Sequence, residues 1–588
     1  MSDPTTDASA FPPPSPVAVP ERPPRPAATI VVVRDGAAGL EVLLSRRADG
    51  IDHTSGAWVF PGGIVDACDR DAHSACFGID DAEASARLGL AAGGLDFYVA
   101  AIRECFEESG LLFGRGPGLE ASGDALDGAA AARLAPWRGA MHRRDHGIDE
   151  LCAKEGIRLD AGALTYLSHW LTPLARAKRY DTRFFIAAAP VSQVALFDGT
   201  EMVEQLWIGP AEALARSKTL KLLTPTHKTL ELISTFADVA ALKAWAAQPR
   251  SVPLTMPRVA VGSQGPRPVM PDEPAYAELG RIDPAGHGNE SYDIVTDRPV
   301  RLSGRVIRVT AGNGSMMTGP GTNTYLVGGG GGNEWAAIDP GPALDAHVEA
   351  ILAAAPGPIT RIFATHTHHD HSPATVALKA RTGAVVHGLA ARHREWQDGT
   401  FAPDVTLHGG ERIELVPGTT LAAIHTPGHA SNHLCYLLEE EKLLFTGDHV
   451  MQMSTVVINP PDGDMRAYVE SLRSLLGLDL DWLAPGHGFL MPEPRQAMEK
   501  IIAHRLGREA KVLAALRTLA PATTSALLER VYADVPARLH PMAMRSLTAH
   551  LLKLRDDGVA AEHEGEWALR PGKLEVTPPV PPEYGRLD

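Results

Sequence analysis

The sequence predicts a multidomain chain of mixed α/β and α+β class, with two large, unlike domains followed by a small helical one. Three observations lead there. A chain of 588 residues is too long for one hydrophobic core. Residues 249–296 are dense in proline, glycine and isolated charges and carry neither helical nor strand periodicity, which reads as an extended linker. Strands alternate with helices on both sides of that stretch, and the end of the chain turns helical.

The elements follow in order. Residues 1–27, with Pro12-Pro13-Pro14 and Pro23-Pro24, read as a disordered tail. A first domain spans 28–248. It opens on the β-branched run Thr29–Val33 and the strand candidate Glu41–Arg46, with Gly36 to Gly39 as the turn between them. A second domain spans 297–494. Residues 495–575 read as three helices (Ala497–Leu516, Thr524–Ala533, Met542–Asp556) and a strand pair near Val559–Leu569, the order of a winged helix; 576–588 is a tail. Hydrophobic residues at 44% and charged residues at 21% are ordinary for a soluble protein. Five cysteines without paired spacing fit a reducing compartment, and no apolar run is long enough for a signal peptide or a membrane span, so the expected location is cytoplasmic, with no membrane partner. A net charge of −16 argues against nonspecific nucleic-acid binding by the whole molecule.

The second domain carries the densest chemistry. The apolar run Ile362–Thr365 delivers His366-Thr367-His368-His369-Asp370-His371 at its C-terminal end, where α/β layers build sites. Histidines at i and i+2 of an extended segment point the same way and can grip one cation, while Asp370 and His371 can reach another. Thr426-Pro427-Gly428-His429, Leu443–Asp448 and Ala484-Pro485-Gly486-His487 add two imidazoles and a carboxylate, each beside a tight turn or a strand end. That is a ligand set for two borderline cations with a carboxylate to bridge them. A lone buried histidine is more often an ordinary core residue, and His369, His425, His433 and His449 are read as groups behind the ligands or at the rim of the site, not as ligands.

The pattern resembles the metallo-β-lactamase superfamily, an αββα sandwich, over about Val300 to Pro494. The resemblance implies His366, His368 and His429 on one metal, Asp370, His371 and His487 on another, Asp448 between them, and Asp339 as a structural group orienting the histidine loop. It implies two Zn²⁺ (or iron or manganese) and a metal-activated water that attacks a carbonyl or phosphoryl centre. Gly319–Tyr325, His504-Arg505-x-x-Arg508-Glu509 and the winged helix look like the β-lactamase-like protein 2 family, which implies a single-stranded RNA substrate with Arg505 and Arg508 on its phosphates. The alternative is a thioesterase of glyoxalase-II type. An amphipathic scaffold helix with a solvated face explains the same basic residues at least as well.

In the first domain, Glu104, Glu107 and Glu108 fall at i, i+3 and i+4 of a helix ending at Gly110, so three carboxylates share one face. Alone this is an ordinary acidic face; a hard divalent cation is what would justify it. With Phe60-Pro61-Gly62-Gly63 upstream and the order Arg-Glu-x-x-Glu-Glu-x-Gly from Arg103, the stretch resembles the Nudix box of an α/β/α sandwich. That implies Mg²⁺ or Mn²⁺ on the glutamates, substrate contact at Gly63, and Arg103 orienting Glu104 by a bidentate bond. The box's first acid is Asp69 rather than glutamate, and the stretch from Asp69 to Arg103 is far longer than usual. An insertion of this kind, with Ser55–Asp66, Trp170–Pro173 and Arg179–Phe185, is similar to the animal peroxisomal coenzyme A diphosphatase branch. The implied substrate is a small nucleoside-diphosphate-linked molecule such as coenzyme A. The alternative is a domain that only binds nucleotide. Glu201 and Glu204 are both candidates for a further catalytic glutamate.

Overall fold

The computed structural model describes residues 23–50, 55–117, 128–190, 193–452 and 455–571; most of the 1–27 tail and all of 576–588 lie outside them. The chain forms two compact units, residues 1–259 and 260–588.

In the first unit the opening strand begins at Arg25, inside the stretch read as tail, and runs to Gly36 before pairing with Gly39–Arg47 across the expected two-residue turn. Among the described residues these strands sit in the middle of an eight-stranded mixed sheet, in which Arg25–Gly36 pairs in parallel with Tyr180–Ala188. The helix Gly94–Ser109 lies on this sheet. Its apolar residues Tyr98, Ile102 and Phe106 are buried with Ile30, Val32, Leu43 and Phe185. The inserted residues between Asp69 and Arg103 fold as short helices, including Ala67–Asp71 and Asp81–Leu88. They return the chain so that Asp69 and Arg103 touch.

The second unit stacks a seven-stranded sheet (Val300–Arg301 to Val405–Thr406) on a six-stranded one (Arg412–Val416 to Met491–Pro492), counted among the described residues. Alternating side chains from both inner faces, among them Tyr325, Phe363, Leu421, Tyr436 and Phe445, form one core. Helices Asp345–Ala354 and Thr375–Thr382 cover one outer face and Met465–Leu475 the other, which completes an αββα sandwich. Helices Pro494–Leu519, Thr524–Val531 and His540–Asp556 then close around Leu516, Leu527, Leu547 and Trp567 with the strand pair Ala560–His563 and Glu566–Leu569. The three helices and the strand pair are those the sequence predicts, and a short strand, Ala522–Thr523, adds a third to that sheet.

The stretch 249–296 is more than a linker. Leu254–Thr255 adds to the first unit's sheet beside Thr165–Leu171. Arg258–Ala260 pairs with Arg267–Val269, and the helix Tyr276–Ile282 follows. Glu278 on that helix is 2% exposed and accepts from Arg308 Nη1 at 2.6 Å and from the Leu490 amide at 2.8 Å. Arg308 projects from a sheet strand into the interior, where a lone charge would be prohibitive, so the helix brings its counter-charge. Pro and Gly hide such a segment because its order comes from scattered ion pairs (Arg267–Glu273, Arg281–Glu441, Arg308–Glu278) and a few apolar contacts, without a periodic face.

Candidate functional site

Every ligand residue of the second unit leaves the end of a strand. Asp339 follows Trp335–Ile338, the His366–His371 loop follows Ile359–Phe363, Asp448 follows Leu443–Gly447 and His487 follows Trp482–Pro485. Two donor groups result, His366–His368–His429 and Asp370–His371–Asp448–His487, each with its ligand atoms within 4.8 Å of one another. In the first, His368 Nδ1 lies 3.0 Å from both His366 Nε2 and His429 Nε2. Neighbouring donors on one tetrahedral zinc stand about 3.3 Å apart, so the rings converge as ligands do. In the second, Asp448 Oδ1 is 3.3 Å from His371 Nε2 and from His487 Nε2, and Asp370 Oδ2 lies 3.5 and 3.4 Å from the same two atoms. Asp448 Oδ2 faces the other way, 3.7 Å from His429 Nε2. One carboxylate thus addresses both groups, the position a bridging ligand needs.

The donor set fits two metal ions on its own chemistry. His371 Nε2, His487 Nε2 and Asp448 Oδ1 are buried with no hydrogen-bond partner, and all three point into the same space. Each would cost about 1–3 kcal/mol if left so. A Cβ on Gly486 would come within 2.7 Å of Asp448 Oδ1 and 2.8 Å of His371 Cε1, so only glycine leaves room there. The rings are aimed by their other nitrogens. His429 Nδ1 pairs with Val457 O at 2.7 Å, His487 Nδ1 with Gly321 O at 3.1 Å and His371 Nδ1 with Asp339 at 2.9 Å. Asp339, itself at φ 51°, also accepts from the Thr365 amide and hydroxyl at 2.6 and 2.7 Å.

The two groups differ electrically. Burial holds the three rings of the first group below the usual imidazole range, His368 down to about 3. Burial works against charge in the second group too, yet Asp448 and Asp370 override it there and raise His487 to about 9 and His371 well above its ordinary value. The remaining histidines stay outside the set: His369 is exposed, His425 Nε2 pairs with Ser431 O, His433 Nδ1 with Thr426 Oγ1, and His449 packs on Tyr468.

In the first unit Glu104, Glu107 and Glu108 lie on one face of Gly94–Ser109, as the spacing predicts. The bidentate partner of Arg103, however, is Asp69: Nε to Oδ1 at 2.7 Å and Nη2 to Oδ2 at 3.0 Å. Arg103 reaches Glu104 and Glu107 only through Nη1, at 2.7 and 3.2 Å. Three acids surround it, and the shorter aspartate, fixed in the first turn of Ala67–Asp71, takes the parallel pair of donors. Burial pushes Glu104 up to about 7 and raises Glu107 and Glu108 as well. Glu108 Oε2 accepts from the Gly62 amide at 3.1 Å while its Oε1 is buried without a partner. A Cβ on Gly63 would lie 2.4 Å from Glu104 Oε1, so the Gly-Gly turn lets the backbone approach the acids. Among the described residues these glutamates do not converge to within 4.8 Å as the histidine set does, in keeping with repulsion between crowded carboxylates. Of the two further candidates, Glu201 adds repulsion to Glu107 and Glu108, whereas Glu204 is turned to Arg46 at 3.2 Å. Glu201 is held by Arg47 at 2.7 Å, a pairing that sequence spacing does not reveal.

Arg505 and Arg508 are not placed to meet a phosphate. Arg505 is 3% exposed, donates to Val456 O and lies against Tyr468. Arg508 donates to Val531 O at 2.8 Å and Asp534 at 3.0 Å, and Lys511 takes the other oxygen of Asp534 at 2.7 Å. Arg505 and Arg508 are taken up at the seam where this helix meets its neighbours, while the Lys511–Asp534 pair stays at the surface. Arg505 fixes Val456, next to the Val457 carbonyl that aims His429, so it touches the site through the backbone.

Comparison with known proteins agrees with this division. Family models match in three places: metallo-beta-lactamase superfamily over residues 317–487, NUDT19 Nudix domain over 71–232, and beta-lactamase associated winged helix domain over 523–567. Lactamase-like protein nscB of Trichophyton rubrum is 31% identical over 296 residues, 47% of this chain and 88% of that protein. Beta-lactamase-like protein 2 homolog of Drosophila melanogaster is 32% identical over 274 residues, 44% of this chain and 90% of that protein. An atrochrysone carboxyl ACP thioesterase of Aspergillus chevalieri is 31% identical over 277 residues, 45% and 86% respectively. The chain is therefore a hydrolase of the metallo-β-lactamase superfamily, of the β-lactamase-like protein 2 type with its winged helix, joined to an N-terminal Nudix domain of the NUDT19 type.

Proposed function

We propose that the protein hydrolyses coenzyme A derivatives at both ends, as a thioesterase in the second unit and a diphosphatase in the Nudix domain. The observation that carries the thioester assignment is the fate of the basic helix. With Arg505 and Arg508 engaged inside the fold and Lys511 paired to Asp534 at the surface, that helix offers few free charges for a polyanion, and a small thioester needs none. A relative named as an atrochrysone carboxyl ACP thioesterase, matched over 86% of its own length, points the same way. The Nudix assignment rests on the glutamate face and on the match to the NUDT19 model.

In the second unit His366, His368 and His429 would hold one ion, and Asp370, His371 and His487 the other, with Asp448 between them; zinc, iron and manganese all suit such donors. When bound, the pair supplies a water of lowered pKa and a Lewis acid for the acyl oxygen. The chain's share is to hold seven donors rigid through Asp339, Val457 O and Gly321 O. Water adds to the thioester carbonyl, the C–S bond breaks, and acid and thiol leave. In the Nudix domain Glu104, Glu107 and Glu108 would hold Mg²⁺ or Mn²⁺ against the diphosphate, which favours in-line attack of water on one phosphorus.

The test is thiol release from an acyl-coenzyme A by metal-loaded protein, run beside a single-stranded oligonucleotide at low and high salt. Thioester cleavage without oligonucleotide cleavage is expected. Salt-sensitive cutting of the oligonucleotide with an untouched thioester would overturn the assignment in favour of RNA.

A further inference from the structure

We infer that Trp396, Arg392, Arg394 and Arg545 form a nucleotide subsite beside the histidine–aspartate centre, taking the adenosine bisphosphate end of a coenzyme A thioester. This rests on the thioester reading above and names the part of the substrate that would give it specificity.

Trp396 is 58% exposed and sits at φ 66°, a conformation that a bulky residue adopts only when its surroundings impose it. The imposing contacts are visible. The next residue, Gln397, makes a backbone bridge to the metal ligand His368, accepts from Thr367 Oγ1 at 2.6 Å and donates to Asp462 at 3.0 Å. The Asp398 amide donates to Thr367 O at 2.6 Å, and its carboxylate accepts from Ser372 Oγ at 2.8 Å. An anchored turn therefore pushes a large indole out into solvent within a few residues of the reaction centre. A core tryptophan has no use for this arrangement, whereas a stacking platform does.

The charges around it single out the ligand. The guanidinium carbon of Arg545, on the third helix of the winged domain, lies 5.4 Å from the Trp396 ring centroid. Arg392, Arg394 and Arg545 are all exposed, and none is ion-paired among the described residues. Elsewhere in the same domain Arg508, Lys511, Lys553 and Arg555 are each matched to a carboxylate. One exposed acid, Glu395, interrupts the run. In a chain of net charge −16, an aromatic face with one unmatched arginine against its ring, and two more exposed arginines two and four residues before it in the chain, is suited to one base with a compact set of phosphates. A long strand would need a row of such platforms.

The experiment uses full-length, metal-loaded protein carrying Glu108→Gln to silence diphosphate cleavage, with one acyl group presented on coenzyme A and on pantetheine. Trp396→Ala and Arg545→Ala should each raise KM for the coenzyme A thioester about tenfold, leaving kcat and the pantetheine thioester unchanged. Equal losses on both thioesters, or no loss on either, would overturn the subsite. So would arginine dependence confined to an acyl group carried on an acidic carrier protein. If the parent cleaves neither thioester, the thioester reading fails by itself. The subsite is then read from quenching of tryptophan fluorescence by adenosine 3′,5′-bisphosphate. Quenching that is diminished in Trp396→Phe supports it, and quenching unchanged by that substitution overturns it.

Discussion

In the second unit five imidazoles and two carboxylates converge within contact distance of one another; in the first, three glutamates share a helix face yet stay apart. Residue type accounts for the difference. Neutral imidazoles can be packed ring against ring at small cost, as His366, His368 and His429 are, and the protons gathered on His371 and His487 offset the two aspartates. Carboxylates repel, and Arg103 can serve only some of them, so Glu104 and Glu108 respond to burial by favouring their neutral forms. The imidazole donors are brought together by the chain alone, whereas the three glutamates share a face without converging.

The largest effect should come from emptying one centre. His366→Ala with His368→Ala should remove tightly bound transition metal and lower thioester hydrolysis by at least about 10³-fold, with diphosphate cleavage intact. Metal analysis alongside both assays checks this, and loss of both activities in folded protein would break the comparison. Glu107→Gln and Glu108→Gln should each lower diphosphate cleavage by about 10²–10³-fold. The melting temperature of Glu108→Gln without metal should be equal to or above that of the parent, since its carboxyl is already held towards the neutral form, and that of Glu107→Gln should be lower, since it loses a partner of Arg103.

A subtler effect separates the centres by pH. The first histidine group is already neutral near pH 7, so its ion should bind with little pH dependence. In the second, His487 keeps its proton up to about pH 9, and that proton must leave before the ring can bind. The second ion should therefore bind more tightly as pH rises from 6 to 9, releasing protons measurable by calorimetry in two buffers. The Nudix glutamates act on stability in the opposite sense. Their folded pKa values lie above the unfolded ones, so without metal their contribution is full below about pH 4.5 and is lost as pH rises through about 7. Metal-free protein should lose stability in the first unit between pH 5 and 8, and Mg²⁺ should restore it. Equal slopes for the parent and a Glu104→Gln variant would remove this attribution.

The smallest expected effect lies at Arg505. Arg505→Ala should weaken metal binding by up to about tenfold by loosening Val456–Val457 behind His429, without altering the salt dependence of any activity.

How much of this was legible in the sequence follows from the same contrast. Ligand residues beside strand ends and glycine turns advertise themselves locally, so the seven donor candidates could be named from motif and spacing, and Asp339 followed only from the family resemblance. The Glu104, Glu107 and Glu108 face was readable from helical period alone. What the sequence concealed is non-local pairing. Asp69 taking the Arg103 fork, Glu201 turning toward the glutamates, and Glu278 meeting Arg308 all depend on where the chain returns. Arg505 and Arg508 misled because a charged helix face looks the same whether water or a neighbouring domain covers it. Trp396 gave no signal, since neither its exposure nor its backbone angle has a sequence signature.

The most direct test of two independent hydrolytic centres on one substrate is product analysis by mass spectrometry after an acyl-coenzyme A is incubated with three proteins. The parent should yield free acid, phosphopantetheine and adenosine 3′,5′-bisphosphate. The His366→Ala, His368→Ala protein should yield acyl-phosphopantetheine and the bisphosphate, and Glu108→Gln should yield free acid and intact coenzyme A. If either variant, folded and loaded with its remaining metal, makes neither set of products, the two centres are not independent and the account is wrong.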